Sequence, residues 1–168
     1  MTPRFQRIFI AVRFTPEFCD ALQETQQRLQ QRGVRGTYCS RQNLHLTLAF
    51  VGETTQIDAI RAAVSRIQFT PFDIATSKLG VFGNSSKVIW AGIEGEQLVE
   101  SIANQLRAEL EANGVKFDSR PFKAHVSLLR QPSLLITNVE VPRATMTVTH
   151  ISIMKSERIN GQLIYTEI

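Results

Sequence analysis

Two four-residue segments, His45-Leu46-Thr47-Leu48 and His125-Val126-Ser127-Leu128, share the form His-x-Thr/Ser-x. An imidazole with an ordinary pKa of about 6.5 can either take or give a proton near neutrality. The hydroxyl two residues on can donate a hydrogen bond to an oxygen that is gaining charge. Two imidazoles and two hydroxyls gathered around one small anion would suit cleavage of a phosphodiester. One histidine would deprotonate the attacking oxygen and the other protonate the departing one, while Thr47 and Ser127 brace the non-bridging oxygens. That scheme calls for no metal, and no carboxylate cluster is present to hold one.

Whether the four groups can meet depends on the elements that carry them. Each segment lies in a predicted strand, where period two puts His45 with Thr47, and His125 with Ser127, on one face. Leu44, Leu46 and Leu48 in the first strand, and Val126 and Leu128 in the second, point the other way and would anchor each strand to a core. A single histidine beside a hydroxyl on a strand reads as a satisfied polar residue. The same form at matching places in two copies of one unit points instead to function. His150, in Thr147-Val148-Thr149-His150, lacks the following hydroxyl and reads as structural or exposed.

The two copies are visible in the pattern around the motifs. Ile8 to Val12 is a β-rich run followed by Thr15-Pro16, a cap and first-turn pair, then by Phe18, Leu22, Thr25 and Leu29 at helical spacing and by Gly33 as a terminator. Val88 to Gly92 starts the same series, with Leu98, Ile102, Leu106 and Leu110 on one helix face and Asn113-Gly114 closing it. The interval from Ile8 to His45 (45 − 8) is 37 positions, and that from Val88 to His125 (125 − 88) is the same 37. Two lobes related by a pseudo-twofold axis would produce this.

The remaining pattern predicts a helix capped by Thr55 and carrying Ile57, Ile60, Val64 and Ile67, with Asp58 completing a capping box. Strands are predicted at Phe72 to Leu79, Met146 to Lys155 and Leu163 to Glu167, with turns at Gly83-Asn84-Ser85 and Asn160-Gly161. Arg130 to Arg143, with two prolines, is the best candidate for a mobile loop. The expected fold class is α+β: two lobes of mostly antiparallel sheet, with outer helices and a central groove.

Bulk properties agree with one domain over residues 1–168, since 168 residues with 43% hydrophobic content can bury a sizeable core. Nineteen Lys and Arg against fifteen Asp and Glu, and a pI near 9.4, suit an anionic partner without diagnosing nucleic acid. Cys19 and Cys39 have neither zinc-ligand nor disulfide-framework spacing and read as free, partly buried thiols. The run Ile8 to Val12 is too short for a secretion signal and no other stretch could span a membrane, so a cytoplasmic location is expected. A monomer without an obligate protein partner or cofactor is expected as well.

Landmarks beyond the two motifs carry a family resemblance. They are Arg7-Ile8-Phe9-Ile10-Ala11, Asn43 to Gly52 around the first motif, Val88-Ile89-Trp90-Ala91-Gly92, and Arg120 to Arg130 around the second. Together they resemble the two-histidine phosphoesterase superfamily, specifically the bacterial and archaeal RNA 2′,3′-cyclic phosphodiesterases once described as 2′-5′ RNA ligases. The resemblance implies hydrolysis of an RNA 2′,3′-cyclic phosphate end to a 2′-phosphomonoester, with 2′-5′ joining as the reverse reaction in some relatives. It implies His45 as proton donor to O3′ and His125 as the base that activates water, though near symmetry leaves this order open. Tyr38 stands where many relatives carry Trp, and either ring could pack on a substrate base or simply on the lobe; Ser127 stands where Thr is usual, which loses a stiffening methyl.

Arg130 matches a family arginine near the phosphate. Strict alternation from His125 sends it to the wrong face, so that only a bulge or the strand's end could bring it back. Phe50 and Phe122 are candidates to stack on a terminal base, and Arg35, Arg41, Lys87, Arg120 and Lys123 to attract an RNA end. Two other readings share the motifs. One is the same chemistry on ADP-ribose cyclic phosphate, 2′-5′ oligonucleotides or an RNA tail. The other is a binding module that keeps the groove without turnover.

Overall fold

The computed structural model describes residues 4–83 and 87–168, so the turn read at Gly83-Asn84-Ser85 falls outside it except for Gly83. The apolar run at the N-terminus forms β1 (Gln6–Arg13), and Thr15 caps α1 (Pro16–Gln31), its Oγ1 accepting from Phe18 N–H at 3.4 Å. After the short strand β2 (Thr37–Tyr38) and a 3-10 turn at Arg41–Asn43 come β3 (His45–Thr54), α2 (Ile57–Ser65), β4 (Phe72–Phe82) and β5 (Val88–Glu94). The chain ends with α3 (Glu96–Ala112), β6 (Val126–Arg130), β7 (Thr145–Val148), β8 (Ser152–Ile159) and β9 (Gln162–Glu167).

The strands make two antiparallel sheets. The first has the order β3-β1-β8-β9 and the second β2-β6-β5-β4-β7. Each repeated strand-helix-strand unit therefore supplies the adjacent pair that carries its histidine, β1 with β3 and β5 with β6. The helices exchange places: α1, which follows β1 of the first sheet, lies against β4, β6 and β7 of the second, while α3, which follows β5, lies against β3. Phe18, Leu22 and Leu29 of α1 and Ile102, Leu106 and Leu110 of α3 join Leu46, Leu48, Val126 and Leu128 in one buried cluster. Truncating one of these leucines to alanine would cost about 2–5 kcal/mol.

Four expectations are corrected. Thr55 does not cap α2; Gln56 holds that position without a side-chain bond, and Thr54 Oγ1 accepts from Gln56 N–H at 3.0 Å in an ST-type turn. Ile67 lies beyond the end of that helix. On α3, Leu98 is 51% exposed, because the helix turns Val99, Ile102, Ala103, Leu106 and Leu110 inward. Met146 to Lys155 is not one strand: β7 and β8 belong to different sheets, and Thr149-His150-Ile151 carries the chain between them. The segment from Gln131 to Ala144 has no regular structure but is fastened, with Arg28 donating to the Glu140 carbonyl and Thr76 to the Pro142 carbonyl at 2.8 Å each.

Candidate active site

Both motif strands carry a bulge at the same place. In the first, Thr47 pairs with Ala11 and Ala49 with Ile10, which leaves Leu48 as the extra residue. In the second, Ser127 pairs with Trp90 and Leu129 with Ile89, which leaves Leu128. Each bulge lies three positions after its histidine, and each puts two consecutive residues into the core: Leu48 with Ala49, and Leu128 with Leu129. Alternation resumes one position late. Phe50 consequently returns to the face of His45 and Thr47, and Arg130 to that of His125 and Ser127. The bulge is the device that Arg130 needed.

The two imidazoles are held alike. His45 Nδ1 lies 2.6 Å from the Asn43 carbonyl, and His125 Nδ1 lies 2.6 Å from the Lys123 carbonyl, in each case two residues earlier. A carbonyl only accepts, so both rings carry their proton on Nδ1, and each Nε2 is left with a bare lone pair. Their surroundings then differ. His45 Nε2 accepts from the Thr47 hydroxyl at 2.7 Å, whereas His125 Nε2 has no such partner among the described residues. Burial pushes the His45 pKa down to about 4; the Asn43 bond pulls it up, and the nearby charges of Arg130 and His125 add to the fall. His125 is also lowered, again mainly by burial, with the Lys123 carbonyl raising it and the Lys123 ammonium lowering it.

β3 and β6 meet, and the charges of His125 and Arg130 reach His45 across that junction. Aromatic rings wall it. His45 packs on Phe9 and on the edge of Tyr165, with centroids 4.7 and 5.2 Å away; His125 packs on Phe82 and Trp90 at 4.9 and 6.1 Å. On the first sheet, Phe9, Ala11 and Met154 form a small apolar cluster with Phe50 and Tyr165, and Arg7 lies over the Phe50 ring at 5.0 Å. Burial raises the Tyr165 hydroxyl's pKa; the nearby Arg130 guanidinium opposes that most, with Arg7 lowering it as well and Cys39 raising it.

Tyr165, Asn43 and Phe9 were missed by the reading of the sequence. Asn43 is 5% exposed and its Nδ2 donates to the Leu163 carbonyl at 2.8 Å, tying the start of β3 to β9 although two strands lie between them in the sheet. The sheet curls far enough for its outer edge to return to His45. Nothing local in the sequence marks that. Of the other candidates, Tyr38 packs on the core and donates to the Val34 carbonyl at 2.7 Å, while Phe122 packs on the core beneath Arg107. Arg41 pairs with Asp20 at 2.6 Å, Arg120 with Asp118 at 2.5 Å, and Lys123 lies over Trp90 at 4.9 Å. His150 is exposed beside a surface cavity of about 400 Å³ that shares no residue with the groove. Among the described residues no three of His, Cys, Asp or Glu are grouped as metal ligands would be, and no helix is long and apolar enough to cross a membrane.

Two pseudo-symmetric antiparallel sheets, each presenting a His-x-Thr/Ser strand to a common groove, make up the two-histidine phosphoesterase fold. The sequence model of the 2′-5′ RNA ligase superfamily matches residues 14–160, and the chain belongs to that family. It is 28% identical over 162 residues to an RNA 2′,3′-cyclic phosphodiesterase of Thermotoga maritima, a match covering 89% of this chain and 86% of the relative. A protein of the same name from Archaeoglobus fulgidus is 31% identical over 129 residues, covering 74% and 72%. Among solved structures, Escherichia coli LigT in its apo form superposes with a TM-score of 0.82 at 26% identity, over 98% of this chain and 95% of that one.

Proposed function

We propose that this enzyme hydrolyses a 2′,3′-cyclic phosphate at an RNA end to a 2′-phosphomonoester, using His45 and His125 as its acid-base pair. Water attacks phosphorus and gives a proton to Nε2 of His125; the P–O3′ bond breaks and O3′ takes a proton from Nε2 of His45. Thr47, Ser127 and Arg130 face the non-bridging oxygens and offset the charge gathering there. Phe50, with Arg7 over its ring, offers a stacking surface for the terminal base. The observation that carries this reading is the matched pair of imidazoles, each held at Nδ1 by a backbone carbonyl so that Nε2 keeps its lone pair. The names of the relatives support the choice of substrate.

Neither Nε2 bears a proton in the unbound neutral site, so the acid must gain one as the phosphate anion enters and offsets Arg130. The stronger depression of His45 favours a second ordering, in which His45 is the base and His125 the acid. Incubating the protein with cyclic-phosphate RNA in EDTA checks the main reading. It should yield only the 2′-phosphate; a 3′-phosphate product or strict metal dependence would reject it. In 2′-5′ joining a 5′-hydroxyl would take the place of water: its oxygen attacks the cyclic phosphorus and gives its proton to His125, while the P–O3′ bond breaks and O3′ takes a proton from His45; the hydrolytic reading does not require it.

A further inference from the structure

Gln26 of α1 is a polar side chain in an apolar layer, only 6% exposed. Its Nε2 donates to two backbone carbonyls at 2.9 Å each: that of Cys39, just after β2, and that of Leu128, the extra residue of the second bulge. The Leu128 carbonyl also accepts the Cys39 N–H at 2.9 Å. A bulge breaks the ladder and leaves backbone groups to be satisfied by other means. Burying an amide side chain is unfavourable unless it is bonded, and here both bonds go to the strand pair that ends in Arg130.

The first lobe supplies the contrast. Eighty positions on from Gln26 (106 − 26) stands Leu106, buried and apolar, on the helix that covers the first bulge. The residue that bulge turns into the groove is Phe50, which packing against Phe9 and Met154 can hold. Arg130 is exposed and has no such apolar nest, so its direction depends on the backbone beneath it.

We propose that Gln26 is a positioning residue for Arg130: by fastening the Leu128 carbonyl it locks the bulge in the register that turns the guanidinium over the groove, and so sets the affinity for phosphate. This rests on the reading of Arg130 given above. The test is a double-mutant cycle on the full chain, with Gln26→Met, Arg130→Ala and both together. Binding of adenosine 2′-monophosphate is followed by calorimetry, turnover of a cyclic-phosphate RNA by kinetics, and the Arg130 side chain by its NMR cross-peaks to the Tyr165 ring.

Gln26→Met should weaken binding about tenfold, the scale of one hydrogen bond to a charged group, and raise KM more than it lowers kcat. It should erase the cross-peaks, and add nothing when Arg130 is already alanine. Native-like binding with cross-peaks intact, or the same loss in the Arg130→Ala background, would overturn the proposal. Should Gln26→Met fail to fold, Gln26→Asn withdraws the amide by one methylene and is judged by the same outcomes. If Arg130→Ala alone binds like the native chain, the role given to Arg130 fails, and the cross-peaks still decide what Gln26 does.

Discussion

Five residues after its histidine, one lobe presents Phe50 and the other Arg130, from backbones bulged at the same place. The imidazole anchors also match, at 2.6 Å in both lobes. What differs is the setting. His45 is the more strongly depressed ring, bonded to Thr47 and edged by Tyr165, whereas His125 sits beside Lys123 with its Nε2 bonded to none of the described residues. The bulged strands fix where the four groups point, while burial and residues that differ between the copies, Arg130 and Lys123, set how readily each ring takes a proton. A symmetric frame thus carries an asymmetric pair, as the proposed division into acid and base calls for.

The largest expected effect breaks the pair itself. His45→Ala and His125→Ala should each lose about 10²–10⁴ in rate or more on a cyclic-phosphate RNA. A substrate with sulfur in place of O3′ needs little help in leaving, so the variant lacking the acid should recover on it and the variant lacking the base should not. Recovery of His125→Ala instead would establish the second ordering.

Stability should separate the lobes by a smaller amount. The His45 pKa of about 4 lies below the ordinary 6.5, so the unfolded chain binds more protons between those values. The stability at stake is present above pH 6.5 and lost as pH falls towards 4, about 3 kcal/mol in all. Denaturant unfolding at pH 7 and pH 4 should show the native chain losing that much more than His45→Gln. Equal losses would mean that His45 is not buried as described.

Catalysis should follow the same asymmetry. Turnover needs one ring charged and one neutral, and both rings are depressed, so kcat/KM should peak on the acid side of 6.5 and fall as pH rises through the higher of the two pKa values. A maximum above pH 7 would contradict these settings. The smallest effect is expected from Ser127→Thr, which restores a stiff hydroxyl and should raise kcat by no more than about threefold. A loss would show that the groove has no room for the added methyl.

Much of this was legible because repetition and period leave marks in a sequence. The 37-residue interval, the Thr15-Pro16 start of α1 and the alternation through both motifs gave the two lobes and the face of each histidine. Bulges leave no such mark: Leu48-Ala49 and Leu128-Leu129 read as ordinary apolar pairs, and strict alternation then misplaces Arg130. Tyr165 and Asn43 were invisible for a different reason. Their contacts arise from the curl of the first sheet, a property of four strands together, and neither residue type departs from what an ordinary strand or turn would hold.

The exchange of helices has a consequence for the unit taken alone. One strand-helix-strand copy would send its helix away from its own strands and leave their rear surface bare. Two identical copies could cover each other only by trading helices, in the manner of a swapped homodimer, with a pair of like histidines meeting on the twofold axis. Joining the copies in one chain keeps that geometry while letting each half change separately.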